Sequence, residues 1–217
     1  MKRAPVGETI ERLRGEYPDA RIALNYNGVW QLMVAVILSA QCTDERVNMV
    51  TPVLFGKYPT AESTASCQVE DLEQIIYSTG FYRSKAKNIR LAAIRVMEEF
   101  GGEVPDSMEE LLTIPGVARK TANVVLFSGF GKSEGIVVDT HVARISGRLK
   151  WVSEDMSVKK KAVAIEKKLM KIIPKSEWGK VPHLMILHGR KTCVARKPRC
   201  GACVLKDICP SSNSLNE

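Results

Sequence analysis

Four of the six cysteines lie in one short C-terminal segment, with the spacing Cys193-x6-Cys200-x2-Cys203-x5-Cys209. Thiolates bind zinc and iron–sulfur clusters, and clustered cysteines in a reducing compartment form metal sites more often than disulfides. Zinc sites usually have two closely spaced pairs separated by a loop, whereas this segment has one such pair between two single cysteines. The segment therefore predicts a four-thiolate metal site, and its spacing leaves zinc and iron–sulfur both open.

A lysine and an aspartate in the middle of the chain form a second candidate group. Lys120 falls in the first turn of an expected helix, where the helix dipole disfavours a positive charge. Burial beside apolar Val117 and Val124 would disfavour the ammonium form further, which favours a nucleophilic amine. Asp139 stands between an apolar run and a helix start, where an aspartate is most often simply an N-cap. If the two side chains approach one another, they can instead divide nucleophilic attack and proton transfer.

Residues 107–128 are predicted to form a helix–hairpin–helix. A short helix opens at the capping-box pattern Ser107-x-x-Glu110, and a second helix follows the turn. In the turn, Pro115 fixes one backbone angle and Gly116 permits a positive φ. Such a turn presents backbone N–H groups beside a helix N-terminus and can bind a phosphate, but taken alone it is more often an ordinary αα-hairpin.

Helical periodicity dominates the remaining sequence, so helices must position these residues. Val29–Gln41 is apolar on most sides, which predicts a central buried helix. Ser157–Ile173 combines apolar residues at helical spacing with lysines, and it predicts one amphipathic helix that Pro174 ends. The best strand candidate, Ile136–Val138, is only three residues long and is interpreted as extended chain that leads into the next helix. The pattern predicts an all-α protein.

The composition restricts the class of protein and of partner. The chain has 217 residues, 45% hydrophobic and 26% charged, which is the balance of a globular protein. Residues 1–140 carry 15 basic and 18 acidic side chains, whereas residues 141–217 carry 17 basic and 6 acidic ones, a net charge of +11. This asymmetry indicates a polyanionic partner, and a solvated surface is the alternative. No apolar run is long enough to span a membrane and no secretory signal is visible, so we expect a cytoplasmic or nucleoid-associated protein.

Four motifs, in this order, closely resemble those of the endonuclease III family, the bifunctional DNA glycosylase/AP lyases of the helix-hairpin-helix superfamily. They are Leu38-Ser39-Ala40-Gln41-x-Thr43-Asp44, Ile114-Pro115-Gly116-Val117-x-Arg119-Lys120-Thr121-Ala122-Asn123, Val138-Asp139-Thr140-His141-Val142-x-Arg144 and the four-cysteine pattern. The resemblance covers nearly the whole chain. It implies a two-domain all-α fold, with a six-helix barrel at 23–133 and an iron–sulfur domain formed by 1–22 and 134–217. It also implies a [4Fe–4S] cluster held by Cys193, Cys200, Cys203 and Cys209.

The resemblance also implies a base excision repair enzyme acting on double-stranded DNA that contains an oxidised pyrimidine or an abasic site. The damaged base would be flipped into a pocket. Lys120 would attack C1′ and form a Schiff base, Asp139 would assist, and β-elimination would cleave the abasic site. A monomer is expected, with the DNA in the groove between the two domains. The alternative is a related adenine or mismatch glycosylase without lyase activity, although those relatives lack the hairpin lysine.

The DNA-contacting positions of the family also carry over to this sequence by resemblance. Gln41 would fill the gap left by the flipped base, and Phe81 stands where the family has an apolar wedge, often leucine. Ala118 replaces the second glycine of the family's hairpin, which the turn tolerates if φ is negative. The remaining implied contacts lie in the hairpin, in the motif after it and between the first two cluster cysteines: Gly116, Val117, Ala118, Arg119, Thr121, His141, Arg196, Lys197 and Arg199.

Overall fold

The computed structural model describes residues 3–212, and this part of the chain contains helices and loops but no strand. The helices are α1 (Val6–Glu16), α2 (Gly28–Leu38), α3 (Asp44–Lys57), α4 (Ala61–Ala65), α5 (Val69–Ile76), α6 (Tyr82–Phe100), α7 (Met108–Leu111), α8 (Arg119–Phe130), α9 (Thr140–Arg148), α10 (Glu154–Val158), α11 (Ala162–Met170) and α12 (Lys180–Lys191). Short 3-10 helices lie at Tyr77–Thr79, Lys175–Glu177 and Cys200–Ala202. The predicted all-α class is confirmed, and residues 136–138 form extended chain leading towards α9.

The described residues divide into two compact units. One unit is Ala23–Lys132 and contains α2 to α8. The other combines the N-terminal segment up to Ile22 with the chain from Ser133 onward, and it contains α1 and α9 to α12. No helix in the described part of the chain is long and apolar enough to cross a membrane.

Helix α2 forms the centre of the unit Ala23–Lys132. All residues from Leu32 to Leu38 are buried, because α2 packs against α3, α6 and α8. The central buried helix is therefore confirmed, but it ends at Leu38 rather than at Gln41. Gln41 lies in the following loop with a φ of 52°, and Thr43 then caps α3 by accepting a hydrogen bond from the backbone N–H of Arg46.

Helix α9 has the corresponding place in the second unit, where it packs against α10 and α12 while α1 packs against α12. Two hydrogen bonds hold the N-terminal segment to the end of α9. The backbone N–H of Ala4 donates to the carbonyl of Leu149 at 3.0 Å, and the indole N–H of Trp151 donates to the carbonyl of Ala4 at 3.0 Å. These bonds, together with a shared apolar core, explain why residues distant in sequence form one unit.

The single amphipathic helix predicted for Ser157–Ile173 is wrong. The chain forms α10 and α11 instead, and Lys160 between them has a φ of 49°. The cause is a close contact with α9, in which the hydroxyl of Ser157 donates to the carbonyl of Ala143 at 2.9 Å. A Cβ at Gly147 would collide with that same hydroxyl, so α10 lies directly against the backbone of α9. Periodicity predicts the faces of a helix but not a contact of this kind, and the chain must turn before α11.

Candidate functional site

The hairpin forms between α7 and α8. Ser107 caps α7 by accepting a hydrogen bond from the backbone N–H of Glu110 at 3.2 Å. Gly116 has a φ of 82°, so the expected positive angle is confirmed. Ala118 has a φ of −88°, an angle that an alanine adopts without strain, so its methyl group is compatible with the turn.

The hairpin turn also packs closely on α6. A Cβ at Gly116 would lie 3.0 Å from the Cβ of Asn88, which is tighter than ordinary van der Waals contact. A glycine is therefore required at position 116 for two reasons, the positive φ and the close approach of α6.

The hairpin leaves several backbone donors uncommitted. Within the described part of the chain, the backbone N–H groups of Gly116, Ala118 and Lys120 have no acceptor. They lie beside the N-terminus of α8, an arrangement that suits a phosphate. Val117 differs, because its N–H donates to the carbonyl of Ile114 at 3.0 Å and its side chain is buried. The N–H of Val117 is thus engaged within the turn, and the contact of this residue with DNA stays a prediction.

Lys120 is the second residue of α8 and is exposed, so its expected burial is wrong. Among residues 3–212, no side chain or carbonyl forms a hydrogen bond or an ion pair with its amine. The neighbouring hairpin residues Arg119 and Thr121 are exposed and half-buried, respectively. The position in the first turn of the helix agrees with the prediction, and the amine is accessible to a ligand.

Asp139 is the N-cap of α9. One carboxylate oxygen, Oδ1, accepts hydrogen bonds from the backbone N–H groups of His141 and Val142, both at 2.8 Å. The other oxygen, Oδ2, accepts none from the described residues. The side chain is half-buried. Asp139 thus caps the helix and still retains one oxygen for proton transfer or for stabilising a positive charge.

Gln41 and Phe81 share a rare backbone conformation. Both are exposed, Phe81 to 65%, and both have positive φ angles, 52° and 49° respectively. A bulky non-glycine residue in the left-handed region is strained, and such residues concentrate at functional sites. Sequence patterns do not reveal this strain, since neither residue is one that favours the left-handed region.

The loop between Cys193 and Cys200, which we call the cluster loop, presents uncommitted positive charge. Its basic residues are exposed and form no ion pair with the described residues: Arg196, Lys197 and Arg199. The lysines near α10 differ. Lys159 and Lys161 each pair with Asp155 at 2.6 Å, and their hydrogen bonds lower the pKa of that carboxyl group.

The four clustered cysteines line one shared cavity, and none of them forms a disulfide with another described residue. Arg148 donates a hydrogen bond to Sγ of Cys193 at 3.2 Å, and the backbone N–H of Leu205 lies 3.4 Å from Sγ of Cys203. Burial raises the pKa of the Cys203 thiol, as it does that of Cys209. Among the described residues, no three Cys, His, Asp or Glu side chains converge as a single metal ion would require, whereas a four-iron cluster with four cysteine ligands needs only one thiolate at each iron. A cavity lined by thiols and cationic side chains suits an anionic cluster.

Two arginines of α9 hold the start of the cluster loop, a role that the sequence did not predict. Arg144 donates to the carbonyl of Cys193 through Nε at 3.1 Å and through Nη2 at 3.0 Å. Arg148 donates to the carbonyls of Val194 and Ala195 at 2.8 and 2.9 Å. The sequence does show that the two arginines are four residues apart, which places both on one face of α9.

His141 lies on the same helix, is half-buried, and its ring packs against Gly189 of α12. Its Nδ1 is 3.1 Å from a guanidinium nitrogen of Arg144, and a Cβ at Gly189 would lie 2.6 Å from the same ring atom. Burial lowers the pKa of His141. The contact of this residue with DNA stays a prediction.

Comparison with known proteins places this chain beside DNA repair enzymes. Residues 34–175 match the model of the HhH-GPD superfamily of base excision DNA repair proteins. Residues 193–209 match the iron–sulfur binding domain of endonuclease III. An endonuclease III from Synechocystis sp. is 50% identical over 98% of this chain and 95% of that protein.

Two similar solved structures contain DNA. One is a non-covalent endonuclease III–DNA complex with a TM-score of 0.89 and 43% identity, covering 96% of this chain and 95% of the other. The other is a trapped endonuclease III–DNA covalent intermediate, an estranged-adenine complex, with the same TM-score and identity over 96% of both chains.

Substitution of Gly116 by alanine should destabilise the protein more than the same change at Gly131. Both glycines have a positive φ, 82° and 69°, but a Cβ at Gly131 meets no atom within 4 Å. The shared backbone strain is about 1 kcal/mol, and we expect about 1 kcal/mol more at Gly116 from the contact with Asn88. Urea unfolding of both variants measures this difference, and equal losses of stability would contradict the close packing of the turn on α6.

Proposed function

The chain belongs to the endonuclease III family of the HhH-GPD superfamily of base excision DNA repair proteins, and on this basis we propose that it excises oxidised pyrimidines and cleaves the resulting abasic site through a Schiff base on Lys120. The family makes it a DNA glycosylase/AP lyase. The observation that carries the proposed mechanism is the exposed Lys120 amine, which has no partner in the described part of the chain. The covalent intermediate trapped in a 43% identical relative supports it.

The proposed reaction begins when the neutral amine of Lys120 adds to C1′ of the deoxyribose. The bond between C1′ and the base breaks, and the base leaves with the electron pair and gains a proton. The nitrogen loses a proton, the C1′–O4′ bond opens towards a protonated O4′, and an iminium forms between C1′ and nitrogen. This iminium acidifies the C2′ proton, whose loss expels the 3′ phosphate by cleavage of C3′–O3′. Water then hydrolyses the imine and regenerates the amine.

Backbone donors of the hairpin suit the phosphate that flanks the damaged nucleotide. The N–H groups of Gly116 and Ala118 have no acceptor among residues 3–212 and lie beside the positive end of the α8 dipole. We assign this contact to the backbone, so that Arg119 and Thr121 add charge and a hydroxyl beside it. A phosphate held in this way would fix the sugar of the same nucleotide relative to Lys120.

Asp139 would contribute through the carboxylate oxygen that the helix cap does not use. We propose that this oxygen helps to activate the lysine amine and stabilises the positive charge that develops on the sugar. Because Oδ1 already accepts two backbone hydrogen bonds, the orientation of the carboxylate is fixed before substrate binds.

The cofactor is a [4Fe–4S] cluster, in agreement with the matched iron–sulfur domain. For its ligands we propose Cys193, Cys200, Cys203 and Cys209, which line one cavity. Bound there, the cluster would tie together the segment that carries the cluster loop, and Arg148 would donate to a ligand sulfur. We assign no step of the base excision reaction to it.

A monofunctional adenine or mismatch glycosylase of the same fold is the second candidate. Such an enzyme would release the base with water and would form no covalent adduct, because a hydroxyl leaves no electron sink at C1′. The accessible amine of Lys120 favours the bifunctional enzyme.

Replacing Lys120 by glutamine should abolish the covalent adduct that borohydride traps on a duplex with an oxidised pyrimidine. Glutamine keeps much of the length of the side chain but has no nucleophilic amine. The matched control is Lys132→Gln, since Lys132 is exposed in the same unit and pairs with Asp106. The control should trap DNA as the wild type does, and an adduct that persists at full yield in Lys120→Gln would exclude Lys120 as the nucleophile.

Asp139→Asn should lower single-turnover glycosylase activity by about 10²-fold while DNA binding and stability are kept. Asparagine caps helices as well as aspartate does, so α9 should remain intact. Thermal unfolding and DNA affinity provide the controls. Unchanged turnover in this variant would leave Asp139 with the role of a helix cap alone.

Neutralising the cluster loop should flatten the salt dependence of DNA binding. In Arg196→Gln/Lys197→Gln/Arg199→Gln, the slope of log Kd against log salt should fall by about 0.9 for each phosphate that the loop no longer neutralises. The control is Lys159→Gln/Lys160→Gln/Lys161→Gln, because two of these lysines are already paired with Asp155. An equal effect of both triple substitutions would contradict the assignment of the cluster loop as the DNA-binding segment.

A further inference from the structure

A buried lysine lies in the first turn of α6. Lys85 is only 5% exposed, and its ammonium group donates hydrogen bonds to the carbonyls of Leu38 and Thr79, both at 2.8 Å. Burial lowers the pKa of Lys85, because the charge is held in a poorly solvated place. A buried ammonium group is unfavourable unless it is hydrogen-bonded, and here the two carbonyls accept hydrogen bonds from two of its three N–H groups.

The two carbonyls lie just before Gln41 and Phe81, which are the described non-glycine residues of the unit Ala23–Lys132 with a positive φ. Leu38 is the final residue of α2, and Gln41 follows three residues later. Thr79 ends the 3-10 helix Tyr77–Thr79, and Phe81 follows two residues later. Carbonyls at a helix end have no partner within the helix and lie at its negative pole, so an ammonium group is a suitable partner for both.

The backbone strain in these two loops needs a support, and Lys85 forms hydrogen bonds with the backbone just before each strained residue. A left-handed conformation costs about 1–2 kcal/mol for each non-glycine residue, so it persists only where the surroundings impose it. Gln41 and Phe81 both adopt it, and both follow a backbone segment that the same ammonium group holds. One buried charge therefore fixes the starting points of two loops that are distant in sequence.

We propose that Lys85 is a positioning residue for extrusion of the damaged nucleotide, which presents Gln41 and Phe81 to the DNA as one preformed pair. This inference rests on the proposed function, because it assumes that the protein opens a base pair before it acts. An exposed phenyl ring and an exposed amide at fixed positions can occupy the space that an extruded base leaves. A mobile pair would have to be ordered at the moment of binding, at an entropic cost.

The first test separates extrusion from chemistry. Lys85→Met keeps most of the length and packing of the side chain but removes both hydrogen bonds, and Lys87→Met is the control because Lys87 is an exposed lysine of the same helix. The substrates are a duplex with one oxidised pyrimidine and a single strand with one abasic site, in which no base pair must open. For Lys85→Met we expect a loss of about 10²-fold on the duplex and an unchanged rate of borohydride trapping on the single strand.

The second test follows the loops and the DNA directly. In Lys85→Met, amide hydrogen exchange should accelerate in residues 39–43 and 79–82 and stay unchanged in α8. A 2-aminopurine opposite an abasic-site analogue should show a smaller fluorescence change on binding than with the wild type. In a Gln41→Ala/Phe81→Ala background, the added Lys85→Met should have little further effect on the rate of the duplex reaction. The two side chains that Lys85 is proposed to position are already absent there.

Three results would overturn the proposal. They are an unchanged duplex rate in Lys85→Met, an equal loss of rate on duplex and single strand after correction for the folded fraction, and full additivity with Gln41→Ala/Phe81→Ala. If Lys85→Met does not fold, Lys85→Gln replaces it, since glutamine is shorter, neutral and still a donor, and a partial loss restricted to the duplex is expected. Absence of trapping by the wild type on both substrates would instead refute the proposed lyase function.

Discussion

One face of α6 contacts three loops of the unit Ala23–Lys132, namely the loops that carry Gln41 and Phe81 and the turn of the hairpin. The positions of the residues that we propose to touch DNA in this unit depend on these contacts. Lys85 binds the carbonyls that precede Gln41 and Phe81, and Asn88, one turn further along, packs against Gly116 of the hairpin. Residues three apart on a helix share a face, so a single helix sets the positions of the two strained residues and of the hairpin turn. Loops are the most mobile parts of a fold, which makes this external support necessary.

In the other unit, α9 has a similar organising role. Its N-terminus is capped by Asp139, and its arginines, Arg144 and Arg148, bind the backbone around Cys193. These bonds use the guanidinium groups as structural donors, whereas the basic residues of the cluster loop remain available for phosphates. The formal charge of +8 thus has distinct parts: some cations hold the fold, some pair with Asp155, and others are left for a polyanion.

The sequence could predict the features that depend on neighbouring residues, but not those that depend on contacts between distant ones. The hairpin, the Asp139 cap and the position of Lys120 follow from residues close together in the chain, where capping and turn preferences act directly. The exposure of Lys120, the break at Lys160 and the paired contacts of Lys85 depend on residues far apart in sequence. A helical pattern shows Lys85 only as one more lysine on α6, because no periodicity records that two carbonyls converge on it. The choice between zinc and iron–sulfur likewise came from family resemblance and not from spacing.

The proposed chemistry requires that the amine of Lys120 bonds to the sugar, and peptide mapping of the reduced adduct decides whether it does. The wild-type protein would be trapped with borohydride on a duplex containing one oxidised pyrimidine, digested with nuclease and protease, and sequenced by mass spectrometry. We expect the sugar remnant on the peptide containing Lys120 and on no other amine. A remnant on another lysine or on the N-terminal amine would contradict the proposed mechanism.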